Sequence, residues 1–331
     1  MKKYRTLIGA AALTLMLAAC NGDEESVTSS EAASTDTATE EVSKEEKQEE
    51  ATTKKITYLG TEYEVPAQVN TIIAASLEAM EDSVVLGIKP AGVVSNAGTT
   101  IPAYLEQDLA GATVVGSKKE ASSEAMLTLQ PDVILGTSKW DEAQMITYNK
   151  VATTFPYSHI SANWRENLVL YGQLVGKEAE AEKVLADYDA LLAATQEQIA
   201  SSDLKDKKVV TIRVRAGLQV YPAGVYLNAS LYEDFGFTPP QELSAIEAQT
   251  EITYETLAEW NPDMIILQFA DDENTDTPEL LNEILANPIF NSTTAAKTDN
   301  VHVNILNPSA QGGTAWSKIN FLEAFNENVL K

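Results

Sequence analysis

The feature that most limits what this chain can become is that it repeats itself. Residues 122–135 read SSEAMLTLQPDVIL and residues 253–267 read TYETLAEWNPDMIIL. At a constant offset of 131, Glu124 falls on Glu255, Met126 on Leu257, Pro131 on Pro262 and Asp132 on Asp263. Each copy joins a Ser or Thr cap, a short helix, a Pro-Asp turn and the β-branched apolar run of a fully buried strand. Two copies so far apart imply two lobes of one architecture. The apolar runs at 72–75 and 91–95, with a helical stretch at 77–86 between them, continue the helix–strand alternation and imply an α/β sandwich in each lobe.

Between the copies, residues 177–200 contain no Gly or Pro and place Ala179, Val184, Leu185, Tyr188, Leu191 and Leu192 at helical spacing. A helix of about 24 residues is a rod on the order of 36 Å long. The expected fold class is therefore α/β, two Rossmann-like lobes joined by a single long α-helix with a ligand cleft between them. One helical link permits only modest closure.

The amino terminus reads as an address. Lys2, Lys3 and Arg5 precede an apolar run at 7–19, too short for a membrane span and in the charge order of a secretory signal. It ends in Leu17, Ala18, Ala19 and Cys20, which resembles the bacterial lipobox and makes Cys20 the expected lipidation point. Residues 21–53 are dominated by Glu, Ser, Thr and Ala and lack an aromatic, a composition that cannot bury a core. The expected organisation is a signal peptide at 1–19, a lipidated cysteine with a disordered acidic tether at 20–54, an N-terminal lobe at 55–176, an inter-lobe helix at 177–201 and a C-terminal lobe at 202–331. Acyl chains contribute roughly 0.8 kcal/mol per buried methylene, so the protein is expected on the extracytoplasmic face of the membrane without spanning it.

Composition narrows the chemistry. With 23 Lys and Arg against 49 Asp and Glu, the net charge is -26, which repels a nucleic-acid backbone. One cysteine excludes an intrachain disulfide, and with Cys20 assigned to the lipid only His159 and His302 remain as soft metal ligands, so no protein-held metal or other cofactor is expected. No Gly-x-Ser-x-Gly turn and no nucleotide-binding glycine loop is present. No enzymatic activity is expected.

A lipobox, an acidic tether, two α/β lobes and one joining helix resemble the substrate-binding lipoproteins of ABC importers, the rigid-helix class that carries ferric siderophores, haem and cobalamin. The marks are ASLEAMEDSVVLGIKPAGVVS at 75–95, VVGSKKEASSEAMLTLQPDVILG at 114–136, VVTIRVR at 209–215, ASLYEDFGF at 229–237 and QGGTAWSKINFLEAF at 311–325, in that order. Within the class the chain looks most like the ferric-hydroxamate binders. The resemblance puts a ligand between the lobes, at the carboxyl ends of strands. It implies Lys118 where hydroxamate-binding relatives have an arginine, and Trp140 as an aromatic wall. It also implies Glu81 as the glutamate that docks the permease from the N-terminal lobe, with Glu233 substituting in the other lobe, where Ser230 occupies the matching place. A monomer is expected.

One observation needs no family. The chain after Cys20 has three arginines, and two of them, Arg213 and Arg215, are spaced by two on a strand and so share a face. Such a pair suits an anionic or oxygen-rich ligand. Tyr221, Trp316, Tyr157 and Phe269 complete the candidate ligand contacts. Scarce arginine in an acidic chain favours a neutral ferric hydroxamate over a trianionic ferric catecholate, with haem and cobalamin as further alternatives. The rival classes are a surface-anchored hydrolase and a purely adhesive lipoprotein.

Overall fold

Both copies of the repeat fold as the same helix–turn–strand unit, and the Pro-Asp turn does the same work in each. The computed structural model describes residues 52–96 and 100–330. The signal segment, Cys20 and most of the tether lie outside the described residues. The described chain begins with an antiparallel hairpin, β1 (Thr53–Tyr58) and β2 (Thr61–Pro66). Strand β1 starts inside the segment assigned to the tether, because Thr53 already pairs with Pro66.

The first lobe continues through β3 (Ile72–Ala75), α1 (Leu77–Val85), β4 (Gly92–Ser95), β5 (Thr113–Ser117), α2 (Ser123–Thr128), β6 (Val133–Thr137), α3 (Glu142–Asn149), β7 (Thr153–Tyr157) and α4 (Trp164–Val175). Its sheet is wholly parallel in the order β5-β4-β3-β6-β7, and β3, β4 and β6 are buried along their whole length. The hairpin lies by the β7 edge, where Thr153 Oγ1 donates to the Glu64 carbonyl and Tyr58 packs against Phe155.

The second lobe holds β8 (Val209–Val214), β9 (Leu218–Val220), α6 (Leu227–Ala229), β10 (Thr250–Ile252), α7 (Tyr254–Trp260), β11 (Met264–Phe269), α8 (Leu280–Ala286), α9 (Thr294–Lys297), β12 (Val301–Val303) and α10 (Ala315–Asn328). Its sheet runs β10-β9-β8-β11-β12. Strands β6 and β11 start at equivalent positions of the repeat, after helices capped by Ser122 and Thr253. Asp132 accepts the backbone N–H groups of Asn70 and Thr71 at the entrance of β3, and Asp263 accepts that of Lys208 at the entrance of β8. The second lobe departs from the plan at one place. After β8 the chain turns back at Ala216, at φ 54°, and β9 pairs antiparallel to β8.

Gly176, at φ 69°, caps α4 in the left-handed conformation and lets α5 (Glu178–Ser201) follow at once. Helix α5 buries Ala181, Tyr188 and Thr195 at seven-residue spacing and Ile199 one turn further on, whereas Ala179 is exposed. The Tyr188 hydroxyl donates to Asp234 in the second lobe, which also takes the buried Lys318 ammonium at 2.5 Å. No helix among the described residues is long and apolar enough to cross a membrane.

The lobes are fastened where α1 meets α10. Glu81 is fully buried and accepts from the Tyr104 hydroxyl at 2.6 Å, the Gln311 N–H at 2.9 Å, the Ser317 hydroxyl at 2.6 Å and the Thr314 hydroxyl. Asp82 accepts the Tyr157 hydroxyl at 2.8 Å and the Ala315 N–H at 2.9 Å. Two carboxyls from the first lobe thus cap the helix N-terminus of the second, accepting from N–H and hydroxyl groups that have no partner within the helix. Glu81 is therefore not a surface docking residue: its position on α1 faces α10, and every oxygen is occupied.

Candidate functional site

The carboxyl ends of β3, β5 and β6 face those of β8, β11 and β12 across a cleft. A cavity of about 810 Å³ is lined by Leu77, Asn96 and Tyr104 from one side and by Phe269, Glu273 and Asn307 from the other. A second of about 310 Å³ sits against the first lobe, lined by Glu78, Lys118, Lys139 and Trp140 with Gln311 at its mouth. Leu77 borders both. Cavities of this size are ordinary for small-molecule sites.

Local sequence places each side chain. Arg213 and Arg215 do share a face at the end of β8, and Glu273 gathers both. Arg213 Nε and Nη2 donate to its two oxygens at 3.0 and 2.7 Å, and Arg215 Nε and Nη2 donate to the same oxygens at 2.9 and 2.5 Å. Arg213 is buried over the Tyr226 ring, 5.0 Å from its centroid, while Arg215 keeps 36 % of its side chain exposed. Two guanidiniums on one carboxylate leave a net positive fork, and Arg215 is its accessible prong. Hydrogen bonds from the arginines hold the Glu273 carboxyl below the usual carboxylate range in spite of burial. Tyr221 packs against Tyr226 at 5.4 Å and donates to Gln249, which also accepts from Arg215.

On the opposite wall, Lys118 follows β5, its Nζ 2.5 Å from Asn96 Oδ1. Burial pushes its ammonium below the ordinary lysine range; Glu78 and Glu273 oppose this, and Arg215 and Lys139 add to it. The two lobes' cations therefore act on one another across the cleft. Trp140 lies over Gly136, where a Cβ would come within 2.0 Å of the indole, and packs on Tyr148 at 4.3 Å. Its buried indole N–H has no acceptor among the described residues.

Of the expected contacts, Lys118 and Trp140 line the smaller cavity and Phe269 the larger, Arg213 and Arg215 reach the larger one through Glu273, and Tyr221 stands beside them on Tyr226. It does not include Tyr157 or Trp316. Tyr157 is fully enclosed in the first lobe with its hydroxyl on Asp82, because its strand is covered by the hairpin and α4. Trp316 stands behind the cleft, packed on Tyr104 at 5.3 Å in a groove shared with Val85 and Leu191, because the cap on α10 turns that helix's first turn towards α1. Glu233 is exposed.

Sequence reasoning missed Lys139, Glu78 and Glu273. Lys139 sits in a Ser-Lys-Trp turn with no local signal, and Glu78 belongs to a helix whose acids read as solvated. A hydrolase would draw on Ser138, whose Oγ is 2.7 Å from His159 Nδ1. That hydroxyl also accepts the His159 backbone N–H, and burial and Lys139 push the imidazole pKa down. No carboxylate orients the ring among the described residues.

A family model described as periplasmic binding protein matches residues 72–303. The iron-uptake system-binding protein of Bacillus subtilis is 41% identical over 331 residues, covering 99% of both chains. A probable siderophore-binding lipoprotein of the same organism is 26% identical over 91% of this chain and 90% of its own. A crystal structure of the Bacillus subtilis triscatecholate siderophore binding protein complexed with ferri-bacillibactin superposes with a TM-score of 0.75 at 44% identity, covering 83% of this chain and 97% of that one.

Proposed function

The chain belongs to the periplasmic binding protein family, and on that premise we propose that it captures a ferric siderophore of the anionic triscatecholate class outside the cytoplasm and presents it to an ABC importer. The observation that supports this is the set of Lys118, Lys119 and Lys139 around the smaller cavity, with Arg213 and Arg215 held at the larger one by Glu273; of the acids that line the two cavities, Glu78 and Glu273 are largely buried and Glu106, Asp271 and Asp272 are exposed. A ferric triscatecholate carries about three negative charges, and complementary charge across a partly buried site selects it. Whole-chain counting favoured a neutral hydroxamate because arginine is scarce; two of the three arginines after Cys20 stand at the cleft with three lysines, so the site is far less acidic than the chain as a whole. The relative solved with ferri-bacillibactin supports the same ligand class.

Iron is cargo here, held by the siderophore's oxygens, while the protein supplies charge, hydrogen bonds and an aromatic wall. Lipid attachment at Cys20 anchors the protein, and the exposed Glu233 is the remaining candidate for permease docking. The protein acts as a monomer.

Tryptophan quenching tests the reading. Ferric triscatecholate should quench with an affinity that falls as salt is raised, whereas ferric trihydroxamate, haem and cobalamin should bind more weakly. Equal or tighter binding of the trihydroxamate would reject the assignment.

A further inference from the structure

Glu78 is the carboxyl of the cleft walls that is buried without a bonded cation; Glu106, Asp271 and Asp272, which line the larger cavity, are exposed, and Glu273 holds both arginines. It stands in the first turn of α1, is 8 % exposed, and lines the smaller cavity beside Lys118 and Lys139. Among the described residues no side chain donates a hydrogen bond to it; only its own backbone N–H and the two lysines favour its charged form. Glu273, by comparison, is neutralised by two arginines, and Glu81 by four donors. An under-bonded acid in the wall of an anion site is a repulsive element, and it can be silenced only by a proton or by its lysines.

We propose that Glu78 takes up a proton when an anionic ligand fills the cleft, so that capture is coupled to proton uptake and Glu78 sets how much negative charge the site accepts at a given pH. This rests on the triscatecholate reading. In the empty cleft, Lys118 and Lys139 face Glu78 and favour its ionised form, while burial disfavours it and is the larger influence. A bound trianion draws both ammoniums to itself and adds its own charge, and both changes favour the neutral acid.

The other charged groups around the cavity do not share this role. Lys119 lines it from the exposed side. Arg215 and Glu273 act through Lys118 from the opposite lobe. His159, beside Lys139, has its pKa lowered by burial. Tyr104, whose hydroxyl is committed to Glu81, feels Glu78 but is pushed far above its ordinary range.

The sign follows from linkage. Below the pKa of Glu78 in the free protein the acid is already neutral and costs nothing. As pH rises to its value in the complex, affinity for the anion falls, by up to tenfold for each unit that separates the two values, and then levels. Lys118, whose pKa burial lowers, also gains a proton on binding, and because Glu78 holds that pKa up, this uptake is no smaller in a Glu78 variant.

The experiment is calorimetric titration with ferric triscatecholate in two buffers of different ionisation enthalpy, from pH 5.5 to 8.5, on wild type and Glu78→Gln. Wild type should take up a fraction of a proton that the variant does not, and should lose about tenfold in affinity across the range while the variant changes by less than about threefold. Binding with equal uptake and equal pH dependence in both proteins overturns the role of Glu78 and leaves the ligand reading intact. Failure of both to bind ferric triscatecholate overturns both. Glu78→Asp is the second variant: it keeps the acid and should restore the uptake.

Discussion

Replacing Glu81 with alanine separates two roles that the sequence could not tell apart. The side chain is fully buried and accepts four hydrogen bonds, three of them from residues 230 or more positions away in sequence. Removing it strands the Tyr104, Thr314 and Ser317 hydroxyls and the Gln311 N–H. At about 1 kcal/mol or more for each buried donor left without an acceptor, the loss is on the order of 4 kcal/mol. That is a large share of the roughly 5–15 kcal/mol that holds a typical protein folded, and corresponds to a fall in Tm of about 8–16 °C. Glu81→Gln keeps the volume and one acceptor, and the hydroxyls can rotate to accept from its amide, so it should cost about 1–2 kcal/mol. Urea unfolding followed by fluorescence and circular dichroism, with coincident transitions, measures both. A Glu81→Ala protein within 1 kcal/mol of wild type that fails in transport would refute the buried clamp and restore the docking role.

The neighbouring Asp82 makes a pH prediction. Burial, with the Glu81 charge adding to it and the Tyr157 hydroxyl opposing, pushes its carboxyl up to about 8. Its stabilising contribution is complete below the ordinary carboxylate range and is lost as pH rises towards 8, so Asp82→Asn should flatten the decline of the urea midpoint between pH 5 and 8; an unchanged slope contradicts it. Arg215→Ala should weaken ferric triscatecholate binding at least about tenfold, the 1.5–3 kcal/mol typical of a charge-assisted bond, with unaltered affinity moving the site off β8. Gly136→Ala should displace the Trp140 ring, since the added Cβ would meet it at 2.0 Å, and thereby shift the emission spectrum and loosen the ligand; a spectrum and affinity matching wild type would mean Trp140 is not held as described.

What the sequence disclosed was whatever local spacing encodes. The 131-residue offset located two equivalent strands, and the absence of Gly and Pro located α5, because capping and periodicity are written in neighbouring residues. The arginine pair was legible because two rare residues stood on one face of a strand. Glu81 was not legible: Ser76 to Val85 reads as a helix with its acids in water, and the groups that bury them come from a helix more than 200 residues later. Tyr157 was not legible either, because the hairpin, α4 and Asp82 that enclose it are brought to its strand by the fold of the first lobe. The hydroxamate expectation rested on total charge, whereas a ligand meets only the charges around its cavity. The antiparallel β9 broke the repeat because Ala216 adopts a left-handed turn that no repeat signal marks.

A crystal structure of the protein with ferric triscatecholate, the iron located by its anomalous scattering, is the most direct measurement. The cleft geometry predicts iron between Lys118, Lys139 and Arg215, catecholate oxygens within hydrogen-bonding distance of those side chains, and no protein atom on the metal. Iron in the groove by Trp316 and Leu191, or iron ligated by a protein side chain, would contradict it.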